Sequence, residues 1–90
     1  MIIDRTELSI ANIYLEGIDV ENQYEKLSEE LDEFEMALAQ GNDEDVMEEM
    51  LDVFQVLLGI IWLERKLSVK ELSKYNSKHL HKLITRPRMK

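Results

Sequence analysis

Two segments of this 90-residue chain carry one acidic pattern, Glu29-Glu30-Leu31-Asp32-Glu33 and Glu48-Glu49-Met50-Leu51-Asp52. In each, a Glu-Glu pair is followed by another carboxylate three residues after the second Glu. Carboxylates three and four apart project from one side of a helix. Like charges at those spacings destabilise an isolated helix by a few tenths of a kcal/mol per pair. Two helices that carry the same costly arrangement point to a cation that compensates it. Carboxylate oxygens together with water suit Mg²⁺, or Mn²⁺ in its place.

The elements that must position these groups are helices. Gly and Pro are scarce while Leu, Glu, Lys and Met are abundant, so the sequence predicts an all-α chain of about four helices. Asp4-Arg5-Thr6-Glu7 reads as a capping box that opens a short first helix ending near Gly17. Asp19 is placed to cap a second helix that runs to about Gln40 and stops at Gly41. Its expected apolar stripe is Tyr24, Leu27, Leu31, Phe34 and Leu38. Asn42 or Asp43 caps a third helix that runs to about Lys66. Ser68-Val69-Lys70-Glu71 is a second capping box and opens a fourth helix, which should fade before Pro87. Residues 1–90 are read as a single domain.

On these helices the acidic residues take defined angles. At about 100° per residue, Glu30 falls roughly 60° to one side of Leu27, and Glu33 about 120° to the same side. Starting from Val46, Glu49 and Asp52 take the same two angles. Both pairs flank the buried stripes instead of opposing them. The short turn at Gly41-Asn42 makes the two helices antiparallel neighbours. Counting outward from it brings Glu33 level with Leu51, so the four carboxylates can converge within about one turn. A solvated acidic face accounts well enough for Glu16, Glu21, Glu25, Asp43 and Glu44, but less well for this matched placement.

The run Leu27-Ser28-Glu29-Glu30-Leu31-Asp32-Glu33-Phe34, followed by Glu48-Glu49-Met50-Leu51-Asp52-Val53, resembles the all-α nucleoside triphosphate pyrophosphohydrolases of the MazG-like superfamily. Their signature is Glu-Glu-x-x-Glu and then Glu-x-x-Asp on the next helix. The resemblance implies a Mg²⁺-dependent hydrolase that cleaves (d)NTP-type substrates to a nucleoside monophosphate and pyrophosphate. It implies Glu30, Glu33, Glu49 and Asp52 as metal ligands, and Glu29 as the carboxylate that orients or deprotonates the attacking water. Glu48 has no role in the signature. On the last helix, His81-Lys82-Leu83 with Arg86 resembles the family's phosphate-contacting end, and Ile84 replaces an Asn common there. Asn76 and Lys78 are further polar candidates on the same helix.

Charge and length set the remaining bounds. The net charge of −8 argues against a general nucleic-acid binder. Acidic residues crowd the stretch from Glu16 to Asp52, where Lys26 is the one basic residue. Basic residues dominate from Glu64 onward, so one half suits cations and the other anions, as a metal-bound polyphosphate requires. Lys66, Lys70, Lys74, Lys78, Lys82 and Arg86 recur every four residues and wrap around their helix, which leaves Lys66, Lys70 and Lys74 as solvated cations. There is no cysteine, hence neither a disulfide nor a thiolate metal site. No signal peptide is read, and the apolar run Val53 to Leu63 is about half a membrane span, so a soluble cytoplasmic protein is expected. That run is apolar nearly all round, which calls for a covering subunit and hence a dimer or tetramer. A different reading of the same acidity is a non-enzymatic helical adaptor whose acidic face docks a basic partner.

Overall fold

The structure, a computed structural model, describes Ile10, Ala11, Leu15 and residues 17–85. Among the described residues three helices follow one another: α1 (Val20–Gln40), α2 (Asp43–Arg65) and α3 (Val69–Thr85). There is no strand among the described residues, so the all-α class holds. Most of the expected first helix, with its capping box Asp4 to Glu7, lies outside the described residues; Ile10, Ala11 and Leu15, which are described, are not helical. Arg86 and Pro87 lie outside them as well. None of the described helices is long and apolar enough to cross a membrane.

Local hydrogen bonds fix the helix starts. Asp19 Oδ1 accepts from the Glu21 amide at 3.0 Å, and Asn42 Oδ1 accepts from the Asp45 amide at 2.9 Å. Each satisfies one of the amides that a helix N-terminus leaves unpaired. At α3 the capping box closes fully: Glu71 Oε2 accepts from both the Ser68 amide and the Ser68 hydroxyl at 2.6 Å, while Ser68 Oγ accepts from the Lys70 amide at 3.2 Å. These bonds hold the Glu71 carboxyl below its ordinary range. α1 stops at Gly41, which is extended and donates its amide to the Ala37 carbonyl at 2.6 Å. A Cβ at Gly41 would stand 2.7 Å from that carbonyl oxygen, so the turn into α2 has no room for a side chain. α2 ends in a left-handed Lys66, whose ammonium lies 5.3 Å from the centre of the Trp62 ring.

With only Gly41 and Asn42 between them, α1 and α2 pack against each other along their length, while α3 makes no comparable contact with either. The core at this seam is small: Ala37, Val56 and Ile60 are the buried apolar side chains among the described residues. Across α1 the inward residues are Gln23, Leu27, Glu30, Phe34 and Ala37, spaced four and three apart. This corrects the stripe expected from apolarity, since Tyr24, Leu31 and Leu38 are exposed and a glutamate takes their place inside. On α2, a second row of large apolar side chains, Met47, Leu51, Phe54 and Ile61, also faces outward from the single chain.

Candidate functional site

Glu30 on α1 and Glu49 and Asp52 on α2 each offer a carboxylate oxygen, and these oxygens lie within 4.8 Å of one another. Glu30 is buried, Glu49 partly buried and Asp52 exposed, so the group opens outward from the seam. The angular expectation accounts for part of that gradient: Glu30 and Glu49, at about 60° from their stripes, are drawn inward, while Asp52, at about 120°, is exposed. Of the four carboxylates counted as converging, Glu30, Glu49 and Asp52 form this group. Glu33 stands beside the trio and acts on Glu49 through its charge and through a carboxyl contact. That contact is a hydrogen bond only when one of the two is protonated. Glu29 and Glu48 are exposed, and Glu29 contributes to the negative field around Lys26.

Electrostatics at the group are unbalanced. Partial burial pushes the Glu49 carboxyl above its ordinary range, and the charges of Glu33, Asp52 and Glu30 push it further the same way. Two oxygens, Glu30 Oε2 and Glu49 Oε2, are buried without a hydrogen-bond partner. An unpartnered buried carboxylate oxygen is costly and calls for an explanation. Lys26 supplies part of the compensation, since its Nζ lies 2.8 Å from Glu30 Oε1, one turn earlier on α1. The hydrogen bond to Glu30 raises the Lys26 ammonium above its ordinary range, as does the charge of that carboxylate. Sequence reasoning noted Lys26 as a lone cation but missed this pairing, although a spacing of four residues was the signal for it. An all-carboxylate donor set with orphaned oxygens fits a hard divalent cation.

Two cavities lie among the described residues. One, of about 310 Å³, lies in the same α1/α2 seam and includes Lys26 in its lining. The other, of about 450 Å³, lies along α3 and is lined by Tyr75, Lys78, His79, His81, Lys82 and Thr85. It shares no residue with the carboxylate group. Lys78 and Lys82 are therefore brought together with each other and not with the acidic residues; Asn76 is exposed on α3 but outside that lining. Both histidines are exposed, as expected for surface residues.

Residues 1–74 match the phosphoribosyl-ATP pyrophosphohydrolase family. The chain belongs to that family. Membership places it among all-helical pyrophosphohydrolases related to the MazG-like fold, and not in MazG itself, which narrows the resemblance read from the motifs. The matched segment contains every carboxylate of the site and ends before Asn76, Lys78 and Lys82. No curated protein and no solved structure matches the chain.

Proposed function

We propose that this family member is a Mg²⁺-dependent pyrophosphohydrolase of nucleoside triphosphates, cleaving (d)NTP-type substrates to a nucleoside monophosphate and pyrophosphate. The observation that carries the reading is the pair of buried, unpartnered oxygens on Glu30 and Glu49, set against Asp52 within a pyrophosphohydrolase sequence. Glu30, Glu33, Glu49 and Asp52 hold the metal, with Mn²⁺ able to replace Mg²⁺. When bound, the cation neutralises phosphate charge and lowers the pKa of a coordinated water.

The chain's own groups do the rest. Glu29, exposed beside the cluster in sequence, takes the proton of the attacking water as general base. Water adds to the α-phosphorus, the bond from that phosphorus to the oxygen bridging to the β-phosphorus breaks, and pyrophosphate leaves with the bridging oxygen. Lys78, Lys82, Arg86 and Asn76 face the remaining phosphate charge. Lys78 and Lys82 are exposed on α3 and share a cavity there, which supports that role.

Self-association belongs to the same reading. The exposed apolar row Met47, Leu51, Phe54 and Ile61 on α2 lies in the same helix pair as the exposed Tyr24, Leu31 and Leu38 of α1. A second α1/α2 pair laid on these rows makes a four-helix core, in a dimer or a dimer of dimers.

The deciding experiment is a panel of NTPs, dNTPs and phosphoribosyl-ATP incubated with the full chain and Mg²⁺, read as pyrophosphate release. Release from at least one nucleotide, abolished by EDTA and by Glu49→Gln, is the expected result. A chain that binds no divalent cation and releases no pyrophosphate from any of them returns the acidic face to a docking role.

A further inference from the structure

Lys26 stands where the first acidic segment is densest. It precedes Glu29, Glu30 and Glu33 by three, four and seven residues, so all four side chains share one face of α1. Its ammonium lies 2.8 Å from Glu30 Oε1, and the charges of Glu29 and Glu33 act on it as well. Glu30 therefore divides its two oxygens. Oε1 is taken by the ammonium, while Oε2 is buried without a partner, on a side chain only 6% exposed. The same glutamate belongs to the trio with Glu49 and Asp52.

Gly59 helps to hold Lys26 there. It lies inside α2, where glycine weakens a helix relative to alanine, so its presence needs a cause. A Cβ at this position would come within 3.0 Å of Leu15 Cδ1 and 3.2 Å of Gln23 Oε1. The missing side chain lets the Gln23 carboxamide, three residues before Lys26, lie against α2. Lys26 lines the same seam beside Gln23 and Val56, so its stem is set against the helix pair while its ammonium reaches Glu30.

We infer that the Lys26 ammonium takes the place of a second divalent cation, so that the chain itself binds one metal ion and not two. The inference rests on the metal reading above and fixes the stoichiometry of that same site. In two-metal sites the ions sit about 3.5–4 Å apart. A carboxylate can span such a pair by giving one oxygen to each ion. Glu30 is placed to do so, with an ammonium already on one of its oxygens. An ammonium is a compact single charge with three donors and no acceptor, so it holds no water as a metal does. It offsets part of the charge of Glu29, Glu30 and Glu33 and activates nothing. A second divalent ion on Glu30 Oε1 would have to displace it and then sit beside a tethered positive charge that dilution cannot remove.

The test counts Mn²⁺ on the full chain by electron paramagnetic resonance, with Mn²⁺ alone as the probe. Wild type should bind one ion per chain and show the spectrum of an isolated ion. Lys26→Met and Lys26→Ala should bind two, with the exchange-coupled spectrum of neighbouring ions. Lys26→Arg, which keeps the charge, should stay at one. A part in folding alone would lower the Tm of the neutral variants and leave their count at one. A second measurement needs no variant: with isotope-labelled lysine and saturating Mg²⁺, the Lys26 ammonium signal of wild type should stay where its contact with Glu30 holds it. That signal carries the test if the neutral variants do not fold. The inference is overturned if wild type binds a coupled pair, if Lys26→Met and Lys26→Ala still bind one ion, or if Mg²⁺ moves the Lys26 signal to that of free lysines. Pyrophosphate release is scored separately. A coupled pair in wild type with release keeps the hydrolase and removes this role of Lys26. One ion in wild type and two in Lys26→Met, without release from any nucleotide, keep the role and remove the hydrolase. A wild type that binds no Mn²⁺, alone or with AMP present, removes the metal reading and the inference with it.

Discussion

Lys26 Nζ stands 2.8 Å from Glu30 Oε1, the half-exposed cation reaching back one turn to a glutamate whose side chain is only 6% exposed. A buried carboxylate needs a partner, and this ammonium satisfies one of its two oxygens. The order Lys then Glu at four residues is the weaker of the two orientations on a helix, so the pair owes its formation to the burial of Glu30 more than to helix-surface attraction.

Replacing Lys26 separates these effects. Lys26→Met leaves Glu30 buried beside Glu49 and Asp52 with no cation on either oxygen. The Tm in EDTA should fall by a few degrees, and Mg²⁺ should then raise it by more than it does in wild type, because a competing cation has gone. Differential scanning calorimetry in both conditions checks this. A variant that melts as wild type does in EDTA places the charge of Glu30 elsewhere.

Metal removal gives the second test. A ligand that binds only the folded state stabilises it by about 2.7 kcal/mol at one hundred times its Kd. For a domain of this size that is a rise in Tm on the order of 10 °C. Glu30→Gln, Glu49→Gln and Asp52→Asn should each lose most of the rise, and Glu33→Gln should as well if Glu33 closes on the cation. Glu48→Gln, outside the signature, should keep it. A wild-type melt indifferent to Mg²⁺ and Mn²⁺ with nucleotide present sinks the metal site.

The Glu49 carboxyl carries a pH signature. Its folded value lies above the usual carboxylate range, chiefly through burial and then through Glu33, Asp52 and Glu30. The folded apo chain therefore holds this proton more tightly than the unfolded chain does. Its contribution to stability is fully present below the ordinary glutamate value of 4.5 and is lost as pH rises through the raised folded value. Glu71 runs the opposite way, since its lowered value adds stability above 4.5 that is lost on acidification. Melts of wild type and Glu49→Gln in EDTA, from about pH 4.5 to neutrality, isolate the Glu49 contribution. Relative to the variant, wild type should lose stability as pH rises, and Mg²⁺ should cancel the difference in slope by holding Glu49 ionised.

Much of this was legible beforehand, and what was missed has physical causes. Caps are local: Asp19, Asn42 and the Ser68–Glu71 box each bond an amide within three residues, so sequence alone fixes the starts of α1, α2 and α3. The matched angles of Glu30 with Glu49 and of Glu33 with Asp52 were readable because a helix's period is constant. The inward face of α1 was not, since a reading by apolarity cannot place a glutamate inside and so turned the helix toward Tyr24, Leu31 and Leu38. The role of Gly59 was invisible for a related reason, as it depends on which residue of α1 comes to lie against it.

The apolar row on α2 predicts assembly. Phe54 is 41% exposed in the single chain, so a lysine there costs little unless another subunit covers it. Wild type should sediment as a dimer or tetramer at micromolar concentration. Phe54→Lys and Ile61→Lys should shift it toward the monomer, while Ile60→Lys, at a buried position, should prevent folding altogether. A stable, well-folded wild-type monomer would reject the covering subunit.

The phosphate contacts proposed on α3 are tested by comparison within one helix. Charge-assisted contacts are worth about 1.5–3 kcal/mol, so Lys82→Ala, Lys78→Ala or Arg86→Ala should cost roughly ten- to a hundredfold in kcat/KM. Lys70→Ala and Lys74→Ala should cost little, although Lys74 lies 5.7 Å from the Tyr75 ring centre and its loss also removes that contact. Lys26→Ala belongs in the same series, because Lys26 sits at the carboxylates while the cavity of Lys78 and Lys82 shares no residue with them. Circular dichroism should show all these variants folded. If Lys78, Lys82 and Arg86 behave as Lys70 and Lys74 do, and only Lys26 is sensitive, the polyphosphate is held in the α1/α2 seam and α3 takes no part. If Lys82 and Lys26 both cost tenfold or more, α3 must come to the carboxylates in the working assembly, either within one subunit or from the helix of a neighbour. Mixing Lys82→Ala with Glu49→Gln subunits then separates the two. Recovery of activity in the mixture means that one subunit's α3 serves another's carboxylates.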